Sequence, residues 1–285
     1  MRRGARTAWA CALALLACVL SVTPGSALDD AKPQRAQAAP SASTSSGLPW
    51  DGRLLRAVRL RMSTLLRPIA DYAQGGNFYG TQELVTLLER TAKGLATRWP
   101  GTALALGELS GPRGGKLDGH HSHRSGRDAD VSFIMRNEQG QTARFLRFVA
   151  FGSEGVGLST RQPLYFDDVK NWALVSSMLR DPEARVQYLF VAQTIRTRLL
   201  VEGHRQGESD EFLRAAAAIM VEPKERHKHD NHFHLRIYCP RDDRPACHDS
   251  APYWPWYDGA PPKGRFTELP LIRWRPGVAA AQQTL

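Results

Sequence analysis

Cysteine is scarce in this chain: four in 285 residues, with two of them, Cys11 and Cys18, close to the N-terminus. A chain of this length can bury a hydrophobic core without a disulfide scaffold. The other two, Cys239 and Cys247, stand eight residues apart. In an oxidising compartment they read as one disulfide closing a small loop. No phosphate-binding glycine loop is present, which argues against nucleotide chemistry. No Ser-His-Asp context stands out, which argues against a serine nucleophile. No internal repeat is visible, so a solenoid is excluded. Only one long uncharged apolar run exists, Ala8 to Val22, and it is short for a membrane span, which needs about 20 apolar residues.

That run belongs to a leader. Arg2, Arg3 and Arg6 precede it, and Gly25-Ser26-Ala27 supplies small residues for cleavage, the pattern of a secretory signal peptide over 1–27. The chain is therefore expected to be exported, to a periplasm. An alternative reading exists in Leu15-Leu16-Ala17-Cys18, which resembles a lipoprotein processing site and would leave a lipid anchor on Cys18. Membrane attachment is expected only in that case. Residues 28–47, rich in Ala, Ser, Pro, Gln and Thr, are expected to form a flexible linker, with the folded domain spanning 48–285. The formal net charge is +10, and removal of the three leader arginines leaves +7. A basic exported protein suits an anionic polymer such as cell-wall glycan-peptide; nucleic acid fits the location poorly.

With 42% hydrophobic and 23% charged residues, the body has ordinary globular composition. Helical spacing of Leu54, Leu55, Val58, Met62, Leu65 and Leu66 predicts a first helix, with the arginines between Arg53 and Arg67 on its wet side. A second helix is predicted after Thr81 through Leu84, Val85, Leu88, Ala92 and Leu95, ending before Pro100. Strands are predicted at 103–109, 128–135, 186–191 and 232–238, and helices at 167–179, 193–203 and 209–220. A glycine-rich loop covers 111–119. Beyond Cys247 the chain, rich in Pro, Gly and Trp, reads as an irregular surface wrap. Strands and helices mix without steady alternation, which predicts an α+β fold with an antiparallel or mixed sheet.

Histidine carries the chemical information. Seven of the nine fall in two windows: His120, His121 and His123, then His227, His229, His232 and His234. In His232-Phe233-His234-Leu235-Arg236-Ile237, strand alternation sends Phe233, Leu235 and Ile237 into a core and both histidines to the opposite face. In Asp128-Ala129-Asp130-Val131, both aspartates likewise share a face. Gly126 can supply a turn that returns His123 over the start of that strand. If the two strands are neighbours, His123, Asp130 and His234 converge. Two imidazoles and one carboxylate are a typical catalytic zinc set with a fourth position left for water. A further imidazole, with an unperturbed pKa of about 6.5, suits a general base. The plainer reading is a cluster of solvated or hydrogen-bonded histidines. Trp254, Trp256 and Tyr257 could stack on sugars, though packing against the domain is the simpler expectation.

Gly119-His120-His121-Ser122-His123-Arg124-Ser125-Gly126-Arg127-Asp128-Ala129-Asp130-Val131, with His229-Asp230-Asn231-His232-Phe233-His234-Leu235-Arg236, resembles the penicillin-insensitive murein endopeptidases. Asn77-Phe78-Tyr79-Gly80, the 186–200 stretch and the Cys239…Cys247 end are similar too, so the resemblance covers about 75–247, with 248–285 as the C-terminal wrap. It implies the LAS metallopeptidase fold around a small central antiparallel sheet. It implies one zinc ion held by His123, Asp130 and His234, with His232 as general base or oxyanion stabiliser and His229 supporting it. His120 matches a family histidine near the metal, in a second metal site or supporting the first. The family's Asp-x-x-His pair between the two motifs has no clear equivalent near 151–166, which leaves a second ion without support. The implied reaction is hydrolysis of the D-alanyl–meso-diaminopimelyl cross-link of peptidoglycan. A D,D- or L,D-carboxypeptidase trimming wall stem peptides, and a wall-binding module without turnover, are the competing readings.

Overall fold

The structure, a computed structural model, describes residues 43–144, 146–223 and 228–272. The leader, both leader cysteines and His227 lie outside the described residues. The elements run β1 (Thr44–Leu48), β2 (Asp51–Leu55), β3 (Val58–Arg59), β4 (Leu66–Pro68), α1 (Ala70–Ala73), β5 (Tyr79–Gly80), α2 (Gln82–Arg98), β6 (Leu104–Leu106) and β7 (Asp128–Ser132). They continue through β8 (Met135–Arg136), β9 (Thr142–Ala143), β10 (Tyr165–Phe166), α3 (Asp168–Leu179), β11 (Val186–Phe190), α4 (Gln193–Arg205), α5 (Asp210–Ile219), β12 (Met220–Val221) and β13 (His232–Ile237). The fold is α+β. Among the described residues, no helix is long and apolar enough to cross a membrane.

The helices follow local chemistry. The Thr81 hydroxyl accepts from the Leu84 N–H at the start of α2. The Asp167 carboxylate does the same for Lys170 in α3, and the Ser209 hydroxyl for Phe212 in α5. Each cap satisfies an N–H that the helix itself leaves unpaired, worth about 1 kcal/mol. Along α2, Leu84, Val85, Leu88, Ala92 and Leu95 are buried at the predicted helical spacing.

The central sheet has six strands in the order β12-β11-β13-β7-β6-β4. The junctions β11–β13, β13–β7 and β7–β6 are antiparallel, whereas β12–β11 and β6–β4 are parallel. The sheet is therefore mixed rather than purely antiparallel, because chain crossovers bring in both outer strands. Cross-strand register sorts its residues by row. Ala129, Leu235, Leu189 and Met220 lie side by side across four strands, and all are fully buried in the core. The neighbouring row on the opposite face is Asp130, His234, Phe190 and Val221, followed by Asp128, Arg236 and Tyr188.

Two expectations fail near the N-terminus. The predicted first helix does not form. Its residues make β2, β3 and β4, so the arginines from Arg53 to Arg67 do not line a helix face. Leu54 and Leu66 are buried while Leu55 between them in the pattern is 54% exposed, which is a strand's alternation rather than one helical stripe. The expected linker also ends early, since its last residues, 44–47, are in β1. Their hairpin is tied down where the Asp243 carboxylate accepts from the Ser45 N–H at 2.7 Å. The predicted strand 128–135 divides into β7 and β8.

A short 3-10 turn, Arg241–Asp243, lies within the loop between Cys239 and Cys247. Of the expected wrap, residues 248–272 are described, and they hold one further 3-10 turn, Pro262–Gly264. Cys239 and Cys247 form the predicted disulfide. Beside it, the fully buried Arg127 donates to the Asp249 carboxylate at 2.8 Å and to the His248 carbonyl at 3.0 Å. This ties the disulfide loop to the start of β7. The indoles of Trp254 and Trp256 donate to the carbonyls of Gln187 and Val186, so both pack on the domain.

Candidate metal centre

Strand pairing places Asp130 directly opposite His234 and Asp128 directly opposite Arg236. His232 lies two residues before His234 on the same face. A loop between β6 and β7 supplies the remaining groups, Glu108, His120 and His123. Two features bring that loop in. Gly126 adopts φ +76°, the left-handed region that favours glycine, and a Cβ there would meet the Leu54 side chain at 2.7 Å. Gly107 has no room for a side chain either, since a Cβ would approach Phe148 at 2.7 Å and Asp130 at 3.0 Å. His123 itself sits at φ +65° and His229 at φ +50°, a conformation uncommon outside glycine that concentrates at functional sites.

Asp130 is the hub. His123 Nε2 lies 3.4 Å from its Oδ1, and His232 Nε2 3.5 Å. His234 Nδ1 lies 3.7 Å from the same oxygen, and His120 Nδ1 3.7 Å from Oδ2. These separations exceed hydrogen-bonding distance. His123 Nε2 and Asp130 Oδ1 are both buried without a hydrogen-bond partner. Orphaned polar atoms facing one another in a buried pocket are costly unless something completes them. A divalent cation would do so. His120, His123 and Asp130 each offer a ligand atom within 4.8 Å of the others. His234 Nδ1 lies near the same carboxylate, 3.7 Å from Asp130 Oδ1, but is not one of these three.

Each imidazole is also fixed from behind. His120 Nε2 meets the Glu108 carboxylate at 2.9 Å. His123 Nδ1 meets the Leu109 carbonyl at 2.5 Å. His232 Nδ1 meets Asn231 Oδ1 at 2.6 Å, and His234 Nε2 meets Asp128 Oδ1 at 2.8 Å. An N–H donated to the rear partner leaves the front nitrogen bare, facing Asp130. This arrangement is what orients histidine ligands and sets their tautomer. Phe148 stacks on His232 at 4.5 Å, and the His229 ring stands 4.9 Å from that of His232.

The electrostatics favour a cation. Burial raises the Asp130 pKa, but His123 and His232 outweigh it and hold the carboxyl well below its usual range. Burial also raises that of Asp128, yet Arg236, with Nε 2.7 Å from the carboxylate, and His234 hold it down. Burial pushes His234 down to about 4, so at neutral pH its ring is neutral and able to ligate. His120 is likewise lowered by burial and by His123.

His123, Asp130 and His234, the three expected to converge, do come together, with His120, His232 and His229 beside them. His121 is exposed and outside the cluster. Glu108 and Asn231 were not anticipated, and Asp128 was assigned no role. Glu108 had no spacing signal, since it is twelve residues from the histidine it holds. Asn231 and Asp128 could have been found by asking what fixes each ring.

An α+β domain with a buried His–Asp cluster suited to a divalent ion defines the class. Residues 72–261 match the family described as penicillin-insensitive murein endopeptidase, and the chain belongs to that family. Curated proteins of that name are similar to it. One from Escherichia coli O1:K1 is 26% identical over 171 residues, covering 58% of this chain and 56% of the relative. One from Klebsiella pneumoniae strain ATCC 700721 is 25% identical over 181 residues, 61% of this chain and 59% of the relative. One from Shigella boydii serotype 18 is 27% identical over 201 residues, 65% and 66% respectively. The chain spans roughly three fifths of the length of such relatives.

Proposed function

We propose that this chain is an exported zinc endopeptidase that hydrolyses D-alanyl–meso-diaminopimelyl cross-links in peptidoglycan. The observation that carries the reading is the pair of orphaned, buried front atoms, His123 Nε2 and Asp130 Oδ1, with His234 Nδ1 aimed at the same carboxylate. Family membership supports the substrate class.

In this reading His123, Asp130 and His234 hold the ion. Two imidazole nitrogens and one carboxylate suit zinc and leave room for substrate. When bound, zinc supplies Lewis acidity, polarising the scissile carbonyl and the attacking water. His232 keeps its Nε2 toward the site while Asn231 holds the far nitrogen, so it can take a proton from that water and return it to the leaving amine. His229 packs against the rings of His232 and His234 and limits their movement. Asp128 and Glu108 hold the rings of His234 and His120. The +7 charge beyond the leader draws the protein to the anionic wall.

The test is digestion of purified cross-linked muropeptide dimers by the zinc-loaded chain, with products identified by mass. Conversion of dimers to monomers is expected. Survival of dimers while monomeric stem peptides are shortened would reassign the chain as a carboxypeptidase. Wall binding with no product from either substrate would leave a binding module.

A further inference from the structure

We propose that Phe190, with Tyr188 stacked on it, is a substrate-contacting residue: the two rings and Val221 form a ledge that carries one peptide arm of the cross-link away from the scissile bond. The inference rests on the wall-peptidase reading of the metal centre and specifies where its substrate lies.

The row that contains Asp130 and His234 does not stop at the histidine. Phe190 is the cross-strand partner of His234, and Val221 is the partner of Phe190. All four side chains therefore leave the sheet on one face. Phe190 is half-buried and held on three sides. Tyr188 stacks on it at 4.6 Å with the planes 20° apart. The His234 ring meets it edge-on at 5.3 Å. The Arg236 guanidinium lies 5.4 Å from its centroid. Val221, at the outer strand, is 36% exposed, although it is the continuation of a row that is otherwise buried or half-buried. A preformed apolar surface running out of a polar, buried centre is the usual form of a ligand-binding floor.

In the other direction the row is covered by Phe148. On the far side of Asp130 the row meets Gly107, where Phe148 leaves no space even for a methyl group, and Phe148 continues over His232. In the proposal, a substrate that reaches the centre extends along the open side of this row, across β11 and β12. From His234 to Val221 the row crosses two strand spacings, about 10 Å, which is the length of about three extended residues. A peptide arm of a cross-linked stem has that length, and its methyl and methylene groups can lie on ring faces. Sugar rings would fall beyond the ledge.

Kinetics of the full zinc-loaded chain test this on two substrates. One is the cross-linked dimer of two tetrapeptide stems. The other is the same cross-link trimmed to one residue on each side of the scissile bond. For the full dimer, Phe190→Ala is expected to raise KM about tenfold, the scale of one lost aromatic contact. It should leave kcat, zinc affinity and the KM for the trimmed substrate within about twofold. Val221→Ser, at the outer strand, should raise the full-dimer KM about threefold and leave the trimmed substrate unchanged, with an unfolding curve to confirm that the variant is folded. Equal KM increases for both substrates, a fall in zinc affinity, or no effect of either variant would overturn the proposal, because Phe190 would then only brace His234. If the wild type cuts neither substrate, the peptidase reading fails, and the ledge is judged by binding of the tripeptide stem alone. It stands if Val221→Ser and Phe190→Ala both weaken that binding, and falls if they do not or if the wild type does not bind.

Discussion

The two halves of the candidate metal centre are built by different means. Asp130, His232 and His234 are delivered by two paired strands, where register alone fixes who faces whom. Glu108, His120 and His123 come from a loop, where glycines, a left-handed histidine and a backbone carbonyl do the positioning. The strand half is supported by core residues that are fully buried. The loop half depends on a few tight contacts at Gly107 and Gly126. The difference teaches that a site can be rigid by repetition on one side and rigid by exclusion of alternatives on the other, and that the two should respond differently to change.

Removal of the shared hub should erase the contrast. Asp130→Ala takes the common partner from four imidazoles, and metal affinity is expected to fall about a thousandfold or more, with turnover lost. Metal content of the purified variant by mass spectrometry checks this. Chelation of the wild type should have the same kinetic outcome, reversed by added zinc, and should lower the melting temperature, because a ligand bound only to the folded state stabilises it. Retained activity after complete chelation would break the zinc reading.

His232→Ala should separate chemistry from metal binding. A loss of about a hundredfold to ten-thousandfold in kcat is expected for a general base, with zinc affinity within a few fold. If affinity falls as far as kcat, His232 is a ligand. The rear carboxylates sharpen the comparison itself. Asp128→Asn, in the strand half, is expected to weaken metal affinity about ten- to a hundredfold. Glu108→Gln, in the loop half, should have a smaller effect, because His120 is additional to the three proposed ligands. Titration of both variants with zinc ranks them, and a larger loss from Glu108→Gln would make the loop half dominant. The smallest expected change is in stability. Gly107→Ala presses on Phe148 and on the Cβ of Asp130, lowering stability by about 1–3 kcal/mol, readable by denaturant unfolding.

The sequence was most legible where periodicity and side-chain chemistry agreed. Alternation in 232–237 and 128–131 predicted both strand faces correctly, and a strand that carries histidines on one face and Phe233, Leu235 and Ile237 on the other leaves little freedom of interpretation. The helices predicted after Thr81 and from about 167 and 209 do begin there, at side chains that cap them in the structure. The 54–66 stretch misled because leucines three and four apart fit a helix, while short strands that alternate over only two or three residues leave no period long enough to compete. Sheet order was not legible, since β4, β11 and β12 join through contacts distant in sequence. At the site, the ring-bearing residues were visible, but Glu108 and Asn231 were not: a rear partner is chosen by proximity in space, and in sequence it is only another polar residue.

One consequence follows from the facing of His234 and Asp130. A slip of a single residue between β13 and β7 would turn every side chain of the strand to the opposite face, setting Phe233 or Leu235 where an imidazole belongs. Such a sheet would keep His120, His123 and Asp130 together but lose His234 from the proposed ligand set. Binding energy released at the centre would therefore be greatest for one alignment of the strands. On that reading the cofactor acts as a proofreader of strand pairing during maturation, before any substrate arrives.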